Sequence, residues 1–126
     1  MKQVEVYTDG ACRGNPGRGG FGVVLKYREF RREMSSGFRR TTNNRMEVLA
    51  VIAALEALKE PCILTIYSDS RYLIDTMEKG WLDRWRKNGW KNKSGDAVKN
   101  IDLWRRLFVA KIRHRCKFIW VKGHAE

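Results

Sequence analysis

The chain opens on an alternation. Val4, Val6 and Thr8 take one side and Glu5, Tyr7 and Asp9 the other, the two-residue period of a strand with unlike faces. This strand spans Val4–Gly10. Asp9 and Gly10, poor strand formers and good turn formers, are expected to end it. Ile66–Ser70 repeats the arrangement: a β-branched residue, a tyrosine, a small hydroxyl residue, an aspartate and a small residue. Gly10–Gly22 is too rich in glycine for a helix or a strand interior, so a loop is expected there. It lacks the spacing and the lysine of a P-loop, although its backbone could approach a phosphate chain. Phe21–Tyr27 and Phe30–Phe38 predict a hairpin whose second, mixed arm suits an edge strand. Arg39–Asn44 is a polar connection.

Arg45–Lys59 predicts a helix that is apolar nearly all round, and hence buried on most sides. Only Glu47 and Glu56 interrupt it. With Asn44 as N-cap, Glu47 takes the third position of a capping box. The alternative turns Glu47 toward Asp9 and Asp69, because a carboxylate on so apolar a helix needs a partner. The helix is long enough for a crossover, so the next strand, Cys62–Ser68, is expected to run parallel to the first. Ser70–Lys79 predicts a short helix broken by Gly80. Ile101–Ile112 predicts an amphipathic helix burying Ile101, Trp104, Leu107, Phe108 and Ile112. Cys116–Val121 is the last strand, leading into Lys122-Gly123-His124-Ala125-Glu126.

A chain of 126 residues is expected to form one domain with a real core. A net charge of +12 favours a polyanionic partner, nucleic acid before an anionic membrane surface. No apolar run is long enough to span a bilayer, and the N-terminus has no signal-peptide pattern. The three cysteines are widely spaced and form no Cys-x-x-Cys pair, which indicates neither a disulfide framework nor a zinc site and fits the cytoplasm. Much of the charge sits in Trp81–Asn100, where three tryptophans alternate with Arg84, Arg86, Lys87, Lys91, Lys93 and Lys99. Any one of these tryptophans could be core. The stretch as a whole is too basic for that and suits a nucleic-acid strand, with cations on phosphates and rings on sugars and bases.

Two strands that each end on an aspartate suggest Asp9 and Asp69 side by side, with Glu47 nearby. Two carboxylates about 4 Å apart repel by roughly 4 kcal/mol at an effective dielectric of 20. Such a trio needs protons or cations, and oxygen-only ligands select hard cations, Mg²⁺ or Mn²⁺. A basic protein with an acidic, metal-binding spot points to phosphodiester chemistry.

The motifs V-Y-T-D-G-A-C-R-G-N-P-G at 6–17, T-T-N-N-R-M-E at 41–47, I-Y-S-D-S at 66–70, the Trp-rich basic stretch and W-V-K-G-H-A at 120–125 run the length of the chain. In this order they resemble type 1 ribonuclease H of the bacterial kind. The resemblance implies an α/β, ribonuclease H-like fold: a five-stranded mixed sheet flanked by helices, with a basic protrusion at about 81–100. It implies hydrolysis of the RNA strand of an RNA–DNA hybrid, leaving 5′-phosphate and 3′-hydroxyl ends. Asp9, Glu47 and Asp69 would be ligands for two Mg²⁺, with Mn²⁺ as the alternative. His124 would assist proton transfer or product release. Cys12, Asn15, Asn43 and Asn44 would line the RNA strand. Arg40, Thr42 and Asn100 match a pocket for a DNA-strand phosphate, and Trp81, Trp85, Lys87, Trp90 and Lys99 match the protrusion that holds the DNA strand. Arg71 stands where bacterial relatives commonly carry glutamine beside the RNA minor groove. The family continues past the histidine loop into a helix bearing a fourth carboxylate. The sequence stops at Glu126, which is not its counterpart; either the sequence is shortened and lacks the fourth carboxylate, or the site works with the three, on a fold without that helix. A monomer is expected. The competing readings are a non-catalytic hybrid- or duplex-binding module and a different nuclease or strand-transfer enzyme on a related fold.

Overall fold

The computed structural model describes residues 1–123. The elements follow in the order β1 (Lys2–Cys12), β2 (Gly17–Tyr27), β3 (Phe30–Thr41), α1 (Asn43–Ala57), β4 (Cys62–Ser68), α2 (Arg71–Glu78), α3 (Trp81–Lys87), α4 (Ile101–Lys111) and β5 (Arg115–Trp120). The five strands form one mixed sheet in the order β3-β2-β1-β4-β5. β2 pairs antiparallel with both β1 and β3, while β4 pairs parallel with β1 and with β5. The crossover expected of the long helix is therefore α1, which carries the chain from the β3 edge back to β4. No helix among the described residues is long and apolar enough to cross a membrane.

The strand alternation sets the layers. Val4 and Val6 are buried, whereas Glu5 and Tyr7 are exposed. Val23, Leu25, Leu64 and Ile66 share the buried face with them and pack with Val48, Val51, Ile52 and Leu55 of α1. α4 closes the outer side of α1 with Leu103, Trp104 and Leu107, all buried. Burying side chains of this size stabilises the fold by about 1.5–3 kcal/mol each. This explains a helix with so little polar surface: it has neighbours on both sides.

Several boundaries differ from the sequence reading, among them the end of β3, which takes Arg39–Thr41 from the expected polar connection. β1 does not stop at Asp9 but runs to Cys12, and β2 already begins at Gly17, so most of the glycine-rich tract is strand. The glycines are there because the sheet is tight. A Cβ on Gly19 would stand 2.6 Å from the Ala11 carbonyl oxygen and 2.7 Å from Thr41 Cγ2. Secondly, the N-cap of α1 is Thr42, whose hydroxyl oxygen accepts from the Arg45 N–H at 3.2 Å. Asn44 lies inside the first turn, and Glu47 is too far along the helix to close a capping box. Thirdly, α1 ends at Ala57, with Leu58 as C-cap in an extended conformation. Lastly, Ile112 is the C-cap of α4 and is 69% exposed, whereas Leu103, which lies outside the expected buried set, is buried.

Candidate active site

The register of β1 and β4 builds the site. Tyr7 pairs with Tyr67, and each strand reaches its aspartate two residues later. Asp9 and Asp69 consequently lie side by side just past the point where the parallel β1–β4 pairing ends, where ligands of such sheets bind. α1 supplies the third carboxylate. One ligand oxygen each of Asp9, Glu47 and Asp69 lies within 4.8 Å of the others.

Glu47 is buried and fixed at both oxygens. Oε1 accepts from the Gly10 N–H at 2.8 Å, and Oε2 accepts from the Ser68 hydroxyl at 3.3 Å. A Cβ at position 10 would lie 2.8 Å from the Glu47 nitrogen, so glycine is what lets α1 come this close to β1. Burial, then the Asp69 charge, lifts the Glu47 carboxyl to about 7, with Asp9 adding to the rise and the Gly10 and Ser68 hydrogen bonds opposing it. Three converging acidic groups in this state match the donor set of a hard divalent cation, which would relieve the repulsion that lifts Glu47. On the open side of the sheet the aspartates line a groove of about 750 Å³, together with Tyr7, Tyr67, Glu33 and Lys122.

The end of β5 frames Asp69. Trp120 donates its indole N–H to the Asp69 carbonyl at 3.1 Å, and the Val121 N–H donates to the Ser68 carbonyl at 3.0 Å. The Arg71 guanidinium lies over the Trp120 ring, 3.8 Å from its centroid. His124, named from its motif, lies outside the described residues.

The remaining named residues fall into two groups. Around the start of α1, the Asn15 side-chain oxygen accepts from the Asn43 N–H at 2.9 Å. The Cys12 thiol reaches the Thr41 carbonyl at 3.1 Å. Arg40, Asn43 and Asn44 are exposed, and Thr42 caps the helix. Asn100 joins this group from the far side: its oxygen accepts from Arg45 at 3.3 Å, and its amide donates to the Tyr72 hydroxyl at 3.1 Å. The second group is the basic tract. Trp81 and Trp85 share a face of α3 as their spacing predicts, with ring centroids 6.3 Å apart, but Trp85 also packs edge-on against the buried Trp104 at 5.8 Å. Trp85 is therefore partly core. Trp90 is half-buried, with its backbone in the left-handed region at φ 65°, and Arg105 lies over its ring. Lys87 and Lys99 are exposed.

Sequence reasoning did not single out Ser68 or Trp120. The signal for Ser68 was the repeated small hydroxyl residue before each aspartate. Trp120 heads the W-V-K-G-H-A motif, but its bond to Asp69 joins segments far apart in the chain and has no local signal.

Comparison with known proteins agrees with this geometry. The RNase H family profile matches residues 1–126. The ribonuclease H of Syntrophus aciditrophicus is 58% identical over 126 residues, which is all of this chain and 73% of that protein. The ribonuclease HI of Haemophilus influenzae is 53% identical over 124 residues, 98% of this chain and 80% of its own. Among solved structures, LC9-RNase H1, described as a type 1 RNase H with the type 2 active-site motif, superposes with a TM-score of 0.87 at 36% identity. The match covers 99% of this chain and 65% of that one. LC11-RNase H1 in complex with an RNA/DNA hybrid superposes at 0.73 with 25% identity, over 95% of this chain and 86% of that one. With the profile spanning every residue and relatives more than half identical, the chain belongs to the ribonuclease H family.

Proposed function

We propose that this chain hydrolyses the RNA strand of RNA–DNA hybrids, leaving 5′-phosphate and 3′-hydroxyl ends. The observation that carries the reading is the convergence of Asp9, Glu47 and Asp69 within 4.8 Å, beside the central strands of a protein carrying twelve net positive charges. Asp9, Glu47 and Asp69 would hold divalent cations, Mg²⁺ or Mn²⁺, at two positions. The chemistry supplied by bound cations of this kind is activation of the attacking water and stabilisation of the leaving oxygen. The protein's part is placement. Gly10 and Ser68 hold both oxygens of Glu47, so the carboxylate is oriented before substrate arrives. His124 would move a proton or help product leave.

Substrate binding follows from the two groups around the site. Cys12, Asn15, Asn43 and Asn44 would face the RNA strand, where a 2′-hydroxyl distinguishes RNA from DNA. Arg40, Thr42 and Asn100 would take a DNA phosphate, and Thr42 can do so while capping α1, because its hydroxyl keeps its own proton to donate. Trp81, Trp85, Lys87, Trp90 and Lys99 would hold the DNA strand, and Arg71 would donate into the RNA minor groove. The capture of an RNA/DNA hybrid by the structural neighbour LC11-RNase H1 supports this assignment. We place the protein in the cytoplasm as a monomeric single domain.

The test is cleavage of an RNA–DNA hybrid with Mg²⁺, beside duplex DNA and a chelated control. Cleavage of the RNA strand alone, lost on Asp9→Asn while hybrid binding persists, is the expected result. Binding without cleavage by the wild type would make this a binding module. Equal cleavage of duplex DNA would remove the hybrid assignment.

A further inference from the structure

We infer that Trp120 is a positioning residue that joins the site's metal-ligand strand to its substrate contact, setting Asp69 through its indole N–H and Arg71 through its ring face. The inference rests on the reading of Asp69 and Arg71 given above. Trp120 stands opposite Ser68 in the parallel β4–β5 register, on the side of the sheet that meets α2. It is the last residue of β5 and is 38% exposed. Both of its chemically distinct parts are engaged. The N–H is 3.1 Å from the Asp69 carbonyl, and the guanidinium of Arg71 is 3.8 Å from the ring centroid. Arg71 is exposed and forms no salt bridge among the described residues, so the stack is what restricts it.

The consequence is geometric. An exposed arginine side chain samples many rotamers, and holding it against a ring lowers the entropy lost when it grips a strand. A planar guanidinium stacked on one face still presents its edge N–H groups in plane. Asp69, for its part, begins the short turn between β4 and α2, where a main-chain anchor decides the direction of its side chain. The chain beyond Trp120 also stays close to this carboxylate: a Cβ on Gly123 would lie 3.0 Å from Asp69 Oδ2. One residue thus fixes two groups with different tasks, and the two effects are separable by substitution.

Trp120→Phe keeps a smaller aromatic face for Arg71 and removes the N–H. Trp120→Leu removes both. The probes are Mn²⁺ binding by titration, hybrid binding with the metals chelated, and kcat and KM for hybrid cleavage. For W120F, Mn²⁺ affinity and kcat are expected to fall by roughly two- to tenfold, the worth of one hydrogen bond, with metal-free hybrid binding held. For W120L, metal-free hybrid affinity and KM should also worsen by roughly two- to fivefold, the worth of an exposed cation–π contact. Arg71→Ala should weaken metal-free hybrid binding, and adding W120L to it should weaken that binding no further. Wild-type Mn²⁺ affinity in folded W120F overturns the Asp69 arm. Additive losses of hybrid binding in the double variant overturn the Arg71 arm. If the wild type binds both probes but cuts nothing, the hydrolase reading fails, while the two binding measurements still decide on Trp120.

Discussion

Glu47 differs from its two partners in burial, and its protonation carries a consequence for pH. Its folded-state carboxyl titrates at about 7, against an ordinary value of 4.5. The folded protein therefore holds this proton more tightly than the unfolded chain does. The associated stability is complete below the unfolded value and is lost as pH rises through about 7. Without divalent cations, the thermal midpoint should be lower at pH 8 than at pH 6, and Glu47→Gln should flatten that difference and raise the midpoint at pH 8. A melting series in chelator checks this. An unchanged slope in E47Q would show that the carboxyl is not the group titrating. The three carboxylates themselves were legible in the sequence: two by a repeated motif, the third because an acidic residue interrupts an apolar helix. Ser68 and Trp120 were not, since each acts through a hydrogen bond to a residue in another element. Strand periodicity reports which face a side chain occupies, not what it meets there.

At the level of elements, β1, the hairpin, the crossover and its parallel neighbour followed from alternation and length, and the structure kept them. The start of α1 did not follow. Several residues able to cap stand together from Thr41 to Asn44, and the choice among them depends on where β3 releases the chain. β3 runs on to Thr41, which leaves Thr42 extended, with its hydroxyl toward the Arg45 N–H. Thr42→Ala should accordingly cost about 1 kcal/mol of stability. Asn44→Ala, within the exposed first turn, should change stability by less than about 0.5 kcal/mol. Denaturant unfolding of the two variants separates them, and equal losses would return the cap to Asn44. The glycine tract misled for a related reason. Glycine disfavours a strand on its own terms, yet between strands packed as closely as β1, β2 and β3 a side chain would collide with a carbonyl oxygen or a methyl group.

For the molecule as a whole, charge and fold divide the work. Twenty-six basic residues against fourteen acidic ones give a surface that attracts any polyanion, while the acidic trio makes one spot repel phosphate until cations occupy it. Hybrid affinity should fall steeply between low and physiological salt, with the slope reduced in a variant lacking Lys87 and Lys99, as binding measured across a salt series will report. A flat response would remove the basic tract from the interface. The trio has a last consequence, in the language of linked equilibria. Its members come from β1, α1 and the end of β4, and no short segment of the chain contains two of them. The unfolded chain therefore offers a divalent cation little, and the folded one offers it a complete set. Cation binding and folding become one equilibrium: each increment of Mg²⁺ should raise the melting temperature, chelator should lower it, and Asp9→Asn should blunt the response. The ion that the site gathers for chemistry would then also act as a clasp holding the centre of the sheet to its crossover helix.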